Sequence, residues 1–400
     1  MSVTSDVDGT AIRPLISAVM PCLNEELTLG TCIRKAQRCF EAMGVEGEVV
    51  ISDNGSTDKS VEIALSLGAR VVHQTVKGYG AALMKGIEGA RGEYVIMADA
   101  DDSYDWEGMA PFIEKLREGY DMVVGNRFRG GIAPGAMPPL HRYLGNPVLS
   151  GLARLIHRAP ISDFHCGMRA FRRDVYERMK VRTPGMEFAT EMIVNSVRGG
   201  LKITEVPTTL AKDGRDRPPH LRSFRDGWRH LRFILTYGPD YLYFIPGGLL
   251  FVAGMLLVAL VSMGPVAIGG HFFGVHFLAL GSLLAMVGFN VMNLGVLAKV
   301  IAMKQAPDHE SRITRWALND FTLESGLIVG VILVLLGLGV DSTLLYRWIS
   351  QPDQPMDATV HVGFVATLLI VLGVNLLFSS FLLNMLVTEE RERGRYGPTV

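Results

Sequence analysis

Between Tyr241 and Ala298 the sequence has no aspartate, glutamate, lysine or arginine. A soluble domain does not leave so long a segment uncharged, so a wholly soluble protein is excluded. The four cysteines, Cys22, Cys32, Cys39 and Cys166, lack CxxC spacing, which excludes a zinc cluster or a disulfide framework and points to free thiols in a reducing compartment. Neither GxGxxG nor GxxxxGK[ST] occurs, so the dinucleotide fingerprint and the P-loop are absent. A net charge of −1 over 400 residues removes the case for a general nucleic-acid binder. The opening MSVTSDVDGTAIRP lacks a basic-then-apolar signal and reads as a loose leader.

The first half of the chain is ordinarily charged and follows an alternating pattern. Leu15–Met20 reads as a strand, and Leu27–Met43 as a helix with Leu29, Ile33, Ala36, Phe40 and Met43 at helical spacing. Strand Glu48–Ser52, helix Val61–Leu67 with Asp58 as its N-cap, strand Ala69–Val72 and helix Ala81–Ala90 follow. Tyr94–Ala98 and Met122–Gly125 are further strands, and Gly185–Arg198 is a helix carrying Glu187 and Glu191 on one face. Strands alternating with helices predict an α/β fold, a mostly parallel sheet covered on both faces.

Polar residues collect where these strands end: Asn24 and Glu25, then Asp53, then Lys77, then Asp99 and Asp101. In open α/β sheets that edge is where ligands bind. Carboxylates crowded at the end of a buried strand repel one another unless water solvates them as an acidic turn or a hard, oxygen-seeking cation such as Mg²⁺ or Mn²⁺ joins them. Singly, each is ordinary turn chemistry; a carboxylate suits a ribose hydroxyl or a base N–H, and a metal held by two aspartates suits a diphosphate.

The ordered set PCLNEE, SDNGSTD, KGYGAAL, ADADD and GNRF resembles the family 2 glycosyltransferases of the GT-A fold. Within them it is most similar to the dolichol-phosphate-mannose-synthase-like group that uses polyprenyl phosphates. The likeness covers about Leu15–Gly238. It implies that Pro21, Asn24, Glu25, Asp53 and Lys77 hold the nucleotide, with Asp53 facing the base. It further implies that Asp99 and Asp101 hold a divalent metal and the donor diphosphate, that Arg127 lies close to the phosphates, and that Asp163 lies near the acceptor. Processive polysaccharide synthases carry a QxxRW that this sequence lacks.

Two further segments concern a membrane. Pro139–Arg158 places Leu140, Leu144, Val148, Leu152 and Ile156 at four-residue spacing, with His141, Arg142, Arg154 and Arg158 elsewhere, and is expected to be an amphipathic helix interrupted near Gly145 and Pro147. Lys212–Arg232 holds seven Lys or Arg against three Asp just before the uncharged region. Arg142, Arg215, Arg217 and Arg222 are therefore expected at an anionic acceptor phosphate or lipid headgroup.

Glycines and prolines divide the apolar half into four expected spans: Leu242–Met263, Phe272–Val300, Ser325–Val340 extending to Tyr346, and Val362–Val387. Lys304, Arg312 and Arg315 lie between the second and third, and Arg391, Arg393 and Arg395 follow the fourth. The positive-inside rule puts the catalytic half and both termini in the cytosol, beneath a plasma (bacterial inner) membrane.

The expectation is thus a cytosolic GT-A domain over residues 1–238 and a four-helix membrane domain over 239–400. The expected reaction moves a sugar from a UDP-glucose-like or GDP-mannose-like donor to a polyprenyl phosphate, with Asp101, Asp163 and Arg127 at the reacting centre. Diacylglycerol as acceptor, or a non-catalytic nucleotide-sugar-binding subunit, are the alternatives. The sugar, the base and whether the chain is a homo-oligomer stay open.

Overall fold

The computed structural model describes residues 14–216, 223–305, 312–351 and 357–396. It divides into two compact units, Met1–Ile234 and Leu235–Val400.

The first unit is built on a seven-stranded sheet. Strands β1 (Ile16–Cys22), β2 (Gly47–Asp53), β3 (Arg70–His73), β4 (Tyr94–Met97), β5 (Met122–Asn126), β6 (Arg169–Arg172) and β7 (Ile203–Pro207) stand in the order β3-β2-β1-β4-β6-β5-β7. All pairings are parallel except those of β6, which runs antiparallel to β4 and β5. The central strands are apolar on both faces: Ile16, Ala18, Val19, Val95 and Ile96 are fully buried, as helices on two sides require. Helices that begin in this unit include α1 (Leu29–Met43), α2 (Ser60–Ser66), α3 (Tyr79–Gly89), α4 (Ala110–Arg117), α5 (Asn146–His157), α6 (Phe188–Arg198) and α7 (Ser223–Thr236). This is the mostly parallel sheet that the alternation predicts, GT-A-like as the resemblance implies, with β6 and β7 added.

The strand order reverses direction between β1 and β4. Such a switch point leaves a crevice at the carboxyl ends of the two strands. β1 pairs with β2 through Cys22 and Asp53, and with β4 through Val19 and Met97, so the residues following Cys22, Asp53 and Met97 share one edge.

Two features of this unit differ from expectation. Asp58 accepts from the Ser60 N–H at 3.0 Å but stands one residue before the helix N-cap, Lys59. The Pro139–Arg158 helix is not broken at Gly145: a π turn at His141–Gly145 runs directly into α5, so Pro147, which has no N–H to give the preceding turn, stands where the helix changes its winding. Its apolar stripe is not core. Small residues, Ser150 and Ala153, are buried, whereas Tyr143, Leu144, Val148 and Leu155 are each more than half exposed. On α7, Phe224 and Trp228 are likewise exposed while His230, Phe233 and Ile234 are buried.

Among the described residues the second unit contains four helices long and apolar enough to cross a membrane: Asp240–Val261, Val275–Ile301, Leu323–Ser350 and Thr359–Thr388. The protein is an integral membrane protein. The break foreseen at Gly264–Gly270 is a hairpin, Val266–Ile268 against His271–Phe273, turned by Gly269 and Gly270 at φ +60° and +80°. Within the unit small residues let backbones meet: a Cβ on Gly373 would lie 2.7 Å from the Gly330 carbonyl on the third helix. Lys299, buried near the end of the second helix, is neutralised by Asp240 at 2.6 Å.

Candidate active site

The edge beyond β1, β2 and β4 is assembled by local hydrogen bonding. Asn24 adopts φ +57°, a left-handed conformation that asparagine tolerates, and its side-chain oxygen accepts from the Thr57 N–H at 2.7 Å. That ties the loop after β1 to the loop after β2. Asp53 is buried and accepts from Ser56 N at 2.9 Å and Gly55 N at 3.2 Å, with His73 Nδ1 3.1 Å away. Burial opposes its ionisation, but these bonds outweigh it and hold its carboxyl below the usual range. Asn54 donates to the carbonyls of Gln74 and Val76 and accepts from Gly78, while Lys77 Nζ reaches the Asn54 carbonyl at 2.6 Å. Lys77 is thereby fixed to the β2 loop.

The KGYG turn is pressed against residues 183–185. Gly78 has φ +145°, and a Cβ on Gly80 would collide with the Thr183 carbonyl, so both positions need glycine. Glu191 holds that loop in place: its Oε2 accepts from Arg182 N, Thr183 N and Thr183 Oγ1. Of the two acids expected on one face, Glu191 is therefore committed to the loop.

Asp99 and Asp101 follow β4. Burial and then the charge of Asp101 push the Asp99 carboxyl up to about 7, against a hydrogen bond from Tyr79. Asp101 is buried; its Oδ1 accepts from Ser103 N and Oγ, and its Oδ2 from Arg215 Nη2 at 2.5 Å. Arg215 Nη1 also reaches Glu25 Oε1 at 3.3 Å. Gly214 N donates to the Asp101 carbonyl and Ala211 N to that of Ser103, so residues 211–215 run alongside the acidic turn.

A second cluster joins β5, β7 and the loop before β6. Arg127 and Asp163, both buried, form a closed pair: Nε and Nη2 donate to the two carboxylate oxygens at 2.8 Å each, and Arg127 N donates to Oδ2 at 3.1 Å. Arg169, fully buried, donates to the carbonyls of Phe164, Cys166 and Ala189 and so fixes the loop that carries Asp163. Gly167 connects the clusters, donating to the Tyr104 hydroxyl at 2.7 Å in a position where a Cβ would lie 3.1 Å from Asp99 Oδ2.

Residues 17–180 match the family model described as glycosyl transferase family 2. Residues 296–387 match the glycosyltransferase family 2 C-terminal transmembrane region. The low-salt glycan biosynthesis hexosyltransferase Agl6 of Haloferax volcanii is 40% identical over 378 residues, 94% of this chain and 90% of that protein. The chain belongs to glycosyl transferase family 2.

A dolichyl-phosphate hexose transferase of Haloferax volcanii is 33% identical to this glycosyltransferase over 48% of the chain and 81% of its own length. Glucosyl-3-phosphoglycerate synthase from Mycobacterium tuberculosis, solved with Mn²⁺, UDP and glucosyl-3-phosphoglycerate, is 22% identical with a TM-score of 0.42, covering 56% of this chain and 78% of that one.

In this family 2 glycosyltransferase the structure brings Asn24, Glu25, Asp53, Lys77, Asp99 and Asp101 to one sheet edge; Pro21 lies within β1, one residue before its end. Arg127 and Asp163 are joined to each other. Arg215, foreseen at the acceptor, stands instead with Asp101 and Glu25. Arg142 lies on the π turn with its guanidinium 5.6 Å from the Tyr143 ring centroid, and Arg217 and Arg222 lie outside the described residues. Among the described residues no group of three or more His, Cys, Asp or Glu could hold a metal ion. Two carboxylates do fit a Mg²⁺- or Mn²⁺-type ion, because such ions are commonly bound by one or two carboxylates with phosphate oxygens and water completing the shell. Burial and then the charge of Asp101 disfavour an ionised Asp99, and a cation there would offset both.

Proposed function

We propose that this glycosyltransferase moves a hexose from a nucleotide-sugar donor to a polyprenyl monophosphate at the cytosolic membrane face. The observation that carries the reading is one catalytic unit with an acidic switch-point edge and exposed apolar residues on two helices, Val148 and Leu155 on α5 and Phe224 and Trp228 on α7. Exposed apolar faces with basic neighbours suit a lipid surface.

The donor nucleotide is assigned to the edge made by Pro21, Asn24, Glu25, Asp53 and Lys77, and its diphosphate to the neighbourhood of Asp99, Asp101 and Arg215. A divalent cation held by Asp99 and Asp101 would supply Lewis-acid neutralisation of the leaving diphosphate. Arg215 adds a guanidinium at the same place. Asp163 spends its charge on orienting Arg127, whose Nε and Nη2 it occupies, leaving Nη1 as the nitrogen we assign to phosphate.

The nucleophile is a lipid phosphate oxygen. It is already anionic at neutral pH, so the enclosed Asp163 is not required to remove a proton. The new bond joins that oxygen to the anomeric carbon while the bond from that carbon to the nucleoside diphosphate breaks, in line and with inversion. Arg142, with Arg217 and Arg222, is assigned to the acceptor headgroup. Basic residues between the second and third spans and after the fourth support a topology with both termini in the cytosol, and we assign the protein to a plasma membrane.

Side-by-side assays of polyprenyl phosphate and diacylglycerol with one labelled donor test the reading. Transfer to the phosphate alone supports it; transfer to diacylglycerol, whose neutral hydroxyl needs a base, would overturn it.

A further inference from the structure

The Arg127–Asp163 pair is only as well placed as the two backbone segments that carry it. Both segments are held by one side chain. Glu205, partly buried on β7, accepts through Oε1 from the N–H groups of Ser162 and Asp163, the latter at 2.9 Å. Through Oε2 it accepts from Ser162 Oγ at 2.8 Å and Asn126 Nδ2 at 3.1 Å. Asn126 also donates to Ser162 Oγ at 2.8 Å, and its own Oδ1 accepts from Arg129 N, capping the short helix that opens with Arg127.

One carboxylate therefore receives four hydrogen bonds, and every donor belongs to Asp163 or to a direct neighbour of Arg127 or Asp163. A carboxylate suits this task because it offers only acceptor sites to four donors. β7 is held to β5 at this point, pairing Val124 with Glu205 and Asn126 with Pro207.

We infer that Glu205 is a positioning residue for the transfer reaction. It locks the Asn126–Arg127 and Ser162–Asp163 segments in register so that the guanidinium meets the reacting phosphates in one orientation. The inference rests on the proposed transfer for its chemistry, but the clamp itself can be read without turnover. A displacement of about 1 Å in such a constellation costs on the order of 100-fold in rate.

The test compares full-length wild type, Glu205→Ala, Glu205→Gln and Glu205→Gln with Asn126→Asp. Glutamine keeps an acceptor for the two backbone N–H groups but puts an amide donor against Asn126 Nδ2. The carboxylate introduced by Asn126→Asp would accept from that amide and keep an oxygen for Arg129 N. Hydrogen exchange should show faster exchange at both the 126–130 and 161–165 segments in Glu205→Ala, less so in Glu205→Gln, and near-wild-type protection in the double variant. Under conditions where all four are folded, kcat should fall at least about tenfold in Glu205→Ala, with donor KM changed less than about twofold, and recover in the double variant.

Unchanged exchange at 126–130 in Glu205→Ala would overturn the clamp. So would normal kcat in a folded Glu205→Ala whose exchange is raised. A wild type that transfers no sugar would count against the proposed reaction, while the exchange comparison still decides the clamp.

Discussion

Replacing Asp163 with asparagine should destabilise the catalytic unit far more than a surface substitution does. Asp163 is fully buried and is bonded by Arg127 through three donors: the backbone N–H, Nε and Nη2. Asparagine retains one acceptor oxygen and turns an NH₂ group towards a guanidinium that has only donors. The Arg127 charge is then buried without its counter-ion, a situation that costs roughly 3–5 kcal/mol. For a unit of this size each kcal/mol shifts the melting midpoint by about 2–4 °C, so the loss should be roughly 6–20 °C. Thermal unfolding of the full chain in detergent measures it. Adding Arg127→Met to Asp163→Asn should recover most of that loss, because removing the orphaned charge removes the penalty, while transfer stays low. Donor binding and its response to metal should survive in Asp163→Asn. A melting shift under about 2 °C would refute the reasoning, since it would mean that the pair is solvated or that Arg127 finds another anion.

Arg215→Ala removes the guanidinium beside Asp101 and Glu25, so Mn²⁺ alone should bind more tightly and nucleotide-sugar more weakly, with the KM for lipid phosphate changed less than about twofold; a rise confined to that KM would return Arg215 to the acceptor. Burial, helped by Arg169 and opposed by Asp226, pushes His230 down to about 4. Its folded pKa is below the unfolded value, so its contribution is whole above about pH 6.5 and is lost as pH falls from there towards 4. The difference in stability between wild type and His230→Gln should shrink by about 3 kcal/mol across that window, and a difference independent of pH would contradict it. A periplasm-active reporter fused after Val400 should be silent, and strong activity would mean the topology is wrong.

Much of this was legible in the sequence because the parallel strands are short apolar runs with punctuated ends. β1 to β5 fall within two or three residues of where their composition puts them, and the polar strand ends share the edge that the alternation implied. β6 and β7 were not foreseen. β6 begins with Arg169 and ends with Arg172, and Arg169 sits in the core only because three carbonyls accept from it, which no local pattern reveals. β7 carries Thr204 and Glu205 in a five-residue strand that ends in proline, and the role of Glu205 depends on Ser162 and Asn126, both distant in sequence. The one available signal was the β-branched run Ile203, Thr204 and Val206. Arg215 was read from a run of charge, and charge density does not say which anion an arginine meets. The α5 stripe had the right period, but periodicity alone does not tell a core face from an exposed one.

The central claim, that Asp99 and Asp101 form a metal-assisted diphosphate site serving transfer to a polyprenyl phosphate, is tested most directly by Asp101→Asn. Purified wild type and variant are compared for labelled sugar transfer to polyprenyl phosphate and for nucleotide-sugar binding, each with Mn²⁺ and with chelator. The account predicts at least about a 100-fold loss of transfer, since neutralising a leaving group is worth several kcal/mol, and donor binding that no longer responds to Mn²⁺. Near-normal transfer by Asp101→Asn, with binding that still responds to Mn²⁺, would contradict it.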